Sequence, residues 1–284
     1  MMIKNAMSLK AKINNIAKNE NISPQAIMQT YMLERLLERI SLSKYKNNFI
    51  LKGGMLISSI IGIDSRTTMD MDTTIKGFIL DKENLTQILN DIFKIDLDDN
   101  IQFELINIEN IREEDDYGGL RVHISSIFDN MPTDLKIDVT TGDKITYKEI
   151  NYKYNLLLET RSIDIWSYNI ETIIAEKYES IIKRSILNTR IRDFYDIYML
   201  IHLDKNNISG KILKEAIKET SQHRNSFEII DNRKVVEEVI DNIGTDKDLI
   251  KQWGIYKKNH EYAKEIDYLQ LIESIKKIED IYFK

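Results

Sequence analysis

The apolar residues of this chain turn from strand period to helical period near residue 164, and that change limits the fold more than any other feature of its 284 residues. Between about 48 and 160, short runs alternate apolar and polar positions, the period of half-buried strands, with helical stretches between them. From about 164 to the end the pattern is helical throughout. The leading residues 7–43 read as two helices, the second opened by Ser23-Pro24 as N-cap and first helical residue. Ile27, Tyr31, Leu33, Leu36, Leu37 and Ile40 then recur at helical spacing, and Glu34, Arg35, Glu38 and Arg39 between them are expected to form a solvated face. The chain therefore reads as α+β: N-terminal helices over 1–45, a small mixed-sheet domain over 46–160 and a helical domain over 161–284. No linker rich in Gly, Pro or Ser separates the halves, and neither repeats nor low-complexity tracts occur.

Composition excludes several chemistries. The chain has no cysteine, which removes disulfides, a thiol nucleophile and thiolate zinc sites. Its four histidines, His123, His202, His223 and His260, are scattered, so a His-rich metal centre is not expected. The net charge of −6 argues against generic wrapping of nucleic acid, though a local basic groove is compatible with it. No apolar run approaches the roughly 20 residues of a bilayer span, and the Lys- and Asn-rich start has no signal-peptide core. A cytoplasmic protein with no membrane partner is expected.

Within the mixed segment, Phe49-Ile50-Leu51 is a short strand running into Lys52-Gly53-Gly54, and 55–61 is a short helix. The run Asp70-Met71-Asp72-Thr73-Thr74-Ile75 alternates as a strand does. Residues 81–95 form an amphipathic helix, 103–108, 120–127 and 135–140 are strands, and Asp115 to Gly119 is a turn between the first two of these. Beyond 164, helices are expected over 170–186, 190–201, 208–220, 226–241, 246–258 and 260–281.

The chemistry concentrates in the mixed segment. A Gly pair after a strand makes a turn whose backbone N–H groups can approach a phosphate with no side chain in the way, although, taken alone, Gly53-Gly54 is better explained as a purely structural turn. Residues i and i+2 of a strand share a face, so Asp70 and Asp72 stand side by side while Met71 points inward. Two adjacent carboxylates repel unless a cation shares them, and hard oxygen donors favour Mg²⁺ or Mn²⁺. The alternative is a polar edge-strand face. In Leu135-Lys136-Ile137-Asp138-Val139 the same alternation puts Asp138 on a polar face, where it becomes a third carboxylate on a neighbouring strand. Three such acids can hold two Mg²⁺ about 3.5–4 Å apart, the arrangement used for in-line phosphoryl chemistry. In the helical half, Lys177, Lys183, Arg184, Arg190 and Arg192 outnumber Glu176 and Glu179 and form a basic patch, or else an ordinary charged helix face.

The order Gly53-Gly54, Asp70 and Asp72, then Asp138 is that of the nucleotidyltransferase fold typified by DNA polymerase beta. More specifically, the chain resembles the AbiEii/AbiGii family of nucleotidyltransferase toxins from about 48 to 200, and more weakly over the leading helices. FILKGGMLI with RTTMDMD resembles the first motif of that family, LKIDV the second, ETIIAEK the third and RIRDFYDIY the fourth. The resemblance implies that Asp70, Asp72 and Asp138 bind metal, and that Lys52, Gly53 and Gly54 form the phosphate turn. It also implies that Lys177 reaches the nucleotide triphosphate, and that Asp193 and Asp196 are the acids of the last motif. Arg66, just before the carboxylate pair, is expected to meet phosphate. One departure is Met55, where relatives of this fold often carry Ser or another small residue, so a hydroxyl contact to phosphate is missing.

The family further implies a toxin of a bacterial toxin–antitoxin or abortive phage-infection system with a separately encoded antitoxin, some relatives adding nucleotides to the 3′ end of tRNA. The expected reaction is transfer of a nucleoside monophosphate from an NTP to an acceptor hydroxyl on RNA. Lys177 is expected to neutralise the leaving group, and Lys183, Arg184, Arg190 and Arg192 to extend a track for RNA. The alternatives are transfer to a protein or a small molecule such as an antibiotic, and a nucleotide-binding module without chemistry.

Overall fold

The computed structural model describes residue 3 and residues 5–111, 118–203 and 208–284. The chain divides into two compact units, Met1–Asp143 with Ile150–Ser167, and Lys144–Glu149 with Tyr168–Lys284.

In the first unit the elements run α1 (Ala6–Glu20), α2 (Pro24–Leu42), β1 (Phe49–Lys52), α3 (Gly53–Ile61), β2 (Asp70–Ile75) and α4 (Lys82–Phe93). They continue with β3 (Ile101–Asn110), β4 (Gly119–Phe128), β5 (Met131–Thr141), β6 (Ile150–Asn155) and β7 (Ser162–Ser167). Among the described residues the seven strands form one mixed sheet in the order β3-β4-β5-β2-β1-β7-β6. β2 pairs in parallel with β5 and β1 in parallel with β7, and the other neighbours are antiparallel. The apolar face of the centre, Met71, Leu135, Ile137, Val139, Val122 and Ile124, is buried, and α2 packs across β5, β2 and β7. Short strands β6 and β7 were not legible as strands in the sequence; the mixed pattern there ends in polar residues such as Asn151, Lys153 and Asn155. The expected turn from Asp115 to Gly119 lies largely outside the described residues.

The α2 charges are not a solvated face. Glu34, Arg35, Glu38 and Arg39 are all buried, at 2%, 0%, 6% and 1% exposure. They are buried because each meets a partner from distant chain. Arg39 grips Asp99 through both nitrogens at 2.9 and 2.7 Å and donates to the Ile101 carbonyl at 2.9 Å. Arg35 lies 2.8 Å from Glu38 and 3.1 Å from Glu159, and Glu38 is also bonded by Arg161. Both Glu34 oxygens accept from the Leu157 N–H at 3.0 Å. Burial pushes the Glu34 carboxyl up to about 8, against the pull of that N–H and of Arg35. An ionic layer thus sits between α2 and the segment joining β6 to β7.

The second unit is helical: α5 (Ile170–Arg184), α6 (Ile191–Leu203), α7 (Gly210–His223), α8 (Phe227–Ile230), α9 (Arg233–Thr245), α10 (Lys247–Asn259) and α11 (Tyr268–Phe283). The Asn169 side chain caps α5 by accepting from the Thr172 N–H at 2.8 Å, and the helix packs against α6 and α7. The core combines Tyr178, Phe194, Leu200, Ile240 and Ile275 with an aromatic stack of Tyr195, Trp253 and Tyr256. The single helix expected over 226–241 is two, α8 and α9, and Asn232 caps the second.

Candidate active site

The turn between β1 and α3 requires both of its glycines, for different reasons. Gly53 has φ +63°, and a Cβ there would stand 2.1 Å from Asp72 Oδ2. A Cβ on Gly54 would meet Arg66 Nη1 and Thr68 Oγ1 at 2.7 Å. The Gly54 N–H, at the start of α3, donates to Asp72 Oδ2 at 3.2 Å, so the backbone donor expected to face phosphate is turned on the Asp72 carboxylate. Arg66 is only 3% exposed. Its Nη1 donates to the Gly54 carbonyl at 2.8 Å, which makes it a brace beneath the turn in place of the phosphate contact expected for it. Thr68 Oγ1 donates to Asp70 Oδ1 at 2.8 Å.

The register of the sheet then lines up a row of charges. Lys52 on β1 lies opposite Asp72 on β2, Asp72 opposite Asp138 on β5, and Asp138 opposite Arg121 on β4. Paired residues on neighbouring strands share a face, so the row reads cation, acid, acid, cation. Asp70 stands on the same face two residues along β2, opposite Lys136, whose Nζ is 3.9 Å from it. Burial, then the adjacent Asp70 and also Asp138, push the Asp72 carboxyl up to about 6, although Lys52 and the Gly54 N–H pull the other way. Arg121 Nε and Nη2 donate to the two oxygens of Asp138 at 2.8 and 2.7 Å. Lys52 is 2.5 Å from Asp143 Oδ2, which also accepts from Thr140 Oγ1 at 2.6 Å. Burial alone would raise the Asp143 carboxyl; Lys52 and hydrogen bonds from Lys52, Thr140 and Thr74 outweigh it and hold the group below the usual range.

The remaining expected residues are in the helical unit. Lys177 Nζ lies 2.5 Å from Asp193 Oδ1 and 2.8 Å from Asp196 Oδ2, and Asp196 is fully buried. The third and fourth motifs therefore meet in one ionic cluster that joins α5 to α6. Glu176, next to Lys177, faces away and binds Arg224 at 2.9 Å, as adjacent helix positions require. Lys183 donates to the Arg224 carbonyl at 2.8 Å. Lys183, Arg190 and Arg192 are exposed and Arg184 is half-buried.

Sequence reasoning did not single out Arg121 or Asp143. Arg121 follows from the β4–β5 hairpin, whose two-residue turn, Asp129-Asn130, has φ +46° and +62° at its centre. Counting eight residues outward from each side of that turn reaches Arg121 and Asp138.

Asp70, Asp72 and Asp138 suit a divalent cation by their chemistry: carboxylate oxygens on one face, with burial first and then the neighbouring acids keeping Asp72 reluctant to ionise. Among the described residues no three His, Cys, Asp or Glu side chains are drawn together tightly enough to hold a metal ion, and Asp138 is engaged by Arg121.

The family described as nucleotidyl transferase AbiEii toxin, type IV TA system, matches residues 35–277. The chain belongs to the AbiEii toxin family. The match extends past residue 205, into helices whose sequence contributed little to the resemblance. Membership makes the chain a nucleotidyltransferase of a toxin–antitoxin system and implies an NTP substrate and an antitoxin partner. No curated protein matches it. Among solved structures, a candidate nucleotidyltransferase from H. pylori is 17% identical, with 92% of this chain and 98% of that one covered, at a TM-score of 0.49. JHP933 from Helicobacter pylori is 17% identical over 92% and 94%, at 0.47. An antigenic nucleotidyltransferase-like protein from Paracoccidioides brasiliensis is 15% identical over 82% and 94%, at 0.37. Likenesses this distant carry none of the assignment. No helix among the described residues of this AbiEii chain is long and apolar enough to cross a membrane.

Proposed function

We propose that this AbiEii protein is a cytoplasmic toxin that transfers a nucleoside monophosphate from an NTP to an acceptor hydroxyl at the 3′ end of tRNA, and that it acts in defence against phage. Asp70, Asp72 and Asp138 are the residues that would hold Mg²⁺ or Mn²⁺. Such an ion supplies charge neutralisation for the triphosphate and a lowered pKa for the acceptor hydroxyl. The observation that carries this reading is the direct register of Asp72 with Asp138, one strand apart, with Asp70 on the same face. A protein with no use for a cation gains nothing from holding three acids together at that cost.

The chain's own residues have separable tasks. Gly53 and Gly54 keep the turn free of side chains, which lets the Asp72 carboxylate lie against the backbone there. Arg66 fixes that turn from below. Lys52, in line with the acids, is held by Asp143, and its positive charge would add to the field that a phosphate meets beside Asp72. Lys177 would neutralise the leaving group, positioned by Asp193 and Asp196. Lys183, Arg184, Arg190 and Arg192 would supply the sequence-independent attraction for RNA.

The test incubates the purified protein with each labelled NTP in turn, Mg²⁺ and total tRNA, with Asp72→Asn in parallel. Label on the tRNA in the wild type and none in the variant is the expected result. Label on protein or on an added small molecule would move the acceptor to that class. No label in any fraction with any NTP would refute transferase activity.

A further inference from the structure

The row Lys52, Asp72, Asp138, Arg121 contains two acids, and each cation in it already has an acid partner. Lys52 turns to Asp143, and Arg121 takes both oxygens of Asp138 in its fork. A fork of this kind satisfies the same in-plane lone pairs that a hard cation uses. With one lone pair of each oxygen taken by Arg121 and its charge offset by the guanidinium, Asp138 is a weakened ligand for a metal beside Asp72.

Arg121 is placed to leave. Its side chain is 34% exposed, twice the 17% of Asp138, so solvent can take up the guanidinium as it moves. A second acid waits on its other side: Glu109 on β3 is its cross-strand partner on the same face and already adds to the field on Arg121. The exposed Glu109 meets His123 at 3.2 Å, and a carboxylate can accept from both. We infer that Arg121 is a displaceable counter-cation, occupying the third acid of the site when no divalent cation is bound and passing from Asp138 to Glu109 when one arrives. It is a positioning residue, since it acts through Asp138. This inference rests on the proposed metal site and adds a competitor built into the same sheet.

Direct competition has a signature that loss of a nearby positive charge does not. Mn²⁺ binding to the full-length protein, without nucleotide, is followed by the loss of the free-ion electron paramagnetic resonance signal. The forms compared are wild type, Arg121→Gln, Arg121→Lys, Asp138→Asn, the Arg121→Gln/Asp138→Asn double variant and Asp72→Asn. Arg121→Gln is expected to bind Mn²⁺ roughly tenfold more tightly, the scale of a charge-assisted bond that no longer competes. Most of that gain should vanish in the Asp138→Asn background, where there is no acid to compete for. Arg121→Lys, which keeps the charge without the fork, should gain less than Arg121→Gln and guards against a folding defect in the latter. Unchanged or weaker Mn²⁺ binding by Arg121→Gln, or a gain that persists undiminished with Asp138→Asn, would overturn the inference. If Asp72→Asn weakens binding in that case, the metal site itself stands. If Asp72→Asn binds as the wild type does, the metal reading falls and this inference with it.

Discussion

Asp72 should be a residue that the metal-free protein keeps at a loss. Its carboxyl titrates at about 6, against an ordinary value of 3.8, because burial and then Asp70 disfavour the charge. For an acid with a raised folded pKa, the folded state holds a proton that the unfolded state has already released. Stability therefore falls as pH rises through the window between 3.8 and about 6, and the full penalty applies above it. Two units correspond to about 3 kcal/mol. Water at this half-buried site screens part of that, and Asn accepts less well from the Gly54 N–H, a bond worth about 1 kcal/mol. Asp72→Asn should then stabilise the metal-free protein by roughly 1–2 kcal/mol at pH 8, a melting shift of about 2–4 °C for a chain of this size. The assay is thermal unfolding in EDTA at pH 8, 7, 6 and 5, with transfer measured in parallel on samples given Mg²⁺ in place of EDTA. The gain should shrink steadily as pH falls below 6, while transfer is lost at every pH. A variant that melts lower than wild type at pH 8, or a gain that does not change with pH, would show that Asp72 is not held against its own charge.

Two further outcomes follow from the same geometry. Asp99→Ala strands the Arg39 guanidinium, 1% exposed, without the acid that grips it; urea unfolding should show a loss of about 3–5 kcal/mol, and a loss under about 1 kcal/mol would mean that water reaches Arg39. The Lys183→Glu/Arg184→Glu double variant should weaken tRNA binding more than NTP binding and flatten its salt dependence; equal affinities for both ligands in variant and wild type would mean that these are solvated helix charges of less than about 1 kcal/mol each.

What could be read from the sequence is what the strand period carries. Asp70, Asp72 and Asp138 announce themselves because alternation in MDMD and LKIDV survives into β2 and β5 without a bulge, so each acid's face is a matter of parity. The two glycines were legible as a turn, but not their reasons. Gly53 is excluded from bearing a side chain by Asp72, far along the chain on β2, and Gly54 by Arg66 and Thr68.

The α2 helix shows where that kind of legibility stops. Periodicity tells apolar from polar positions, and a polar position is solvated by default. Whether it is solvated in fact depends on whether partners arrive from elsewhere in the chain. For Arg39 they arrive from Asp99 and Ile101, and for Glu34 and Glu38 from Leu157 and Arg161. Nothing local to α2 encodes those meetings. The same limit hid Arg121: its own stretch, GLRVHISS, is an ordinary strand, and its link to Asp138 is written in the turn at Asp129-Asn130. The acids of the site are thus a property of single strands, while the charge that offsets them is a property of pairing. A sequence reading that counts outward from each hairpin turn before assigning a carboxylate to a metal would have met Arg121 first.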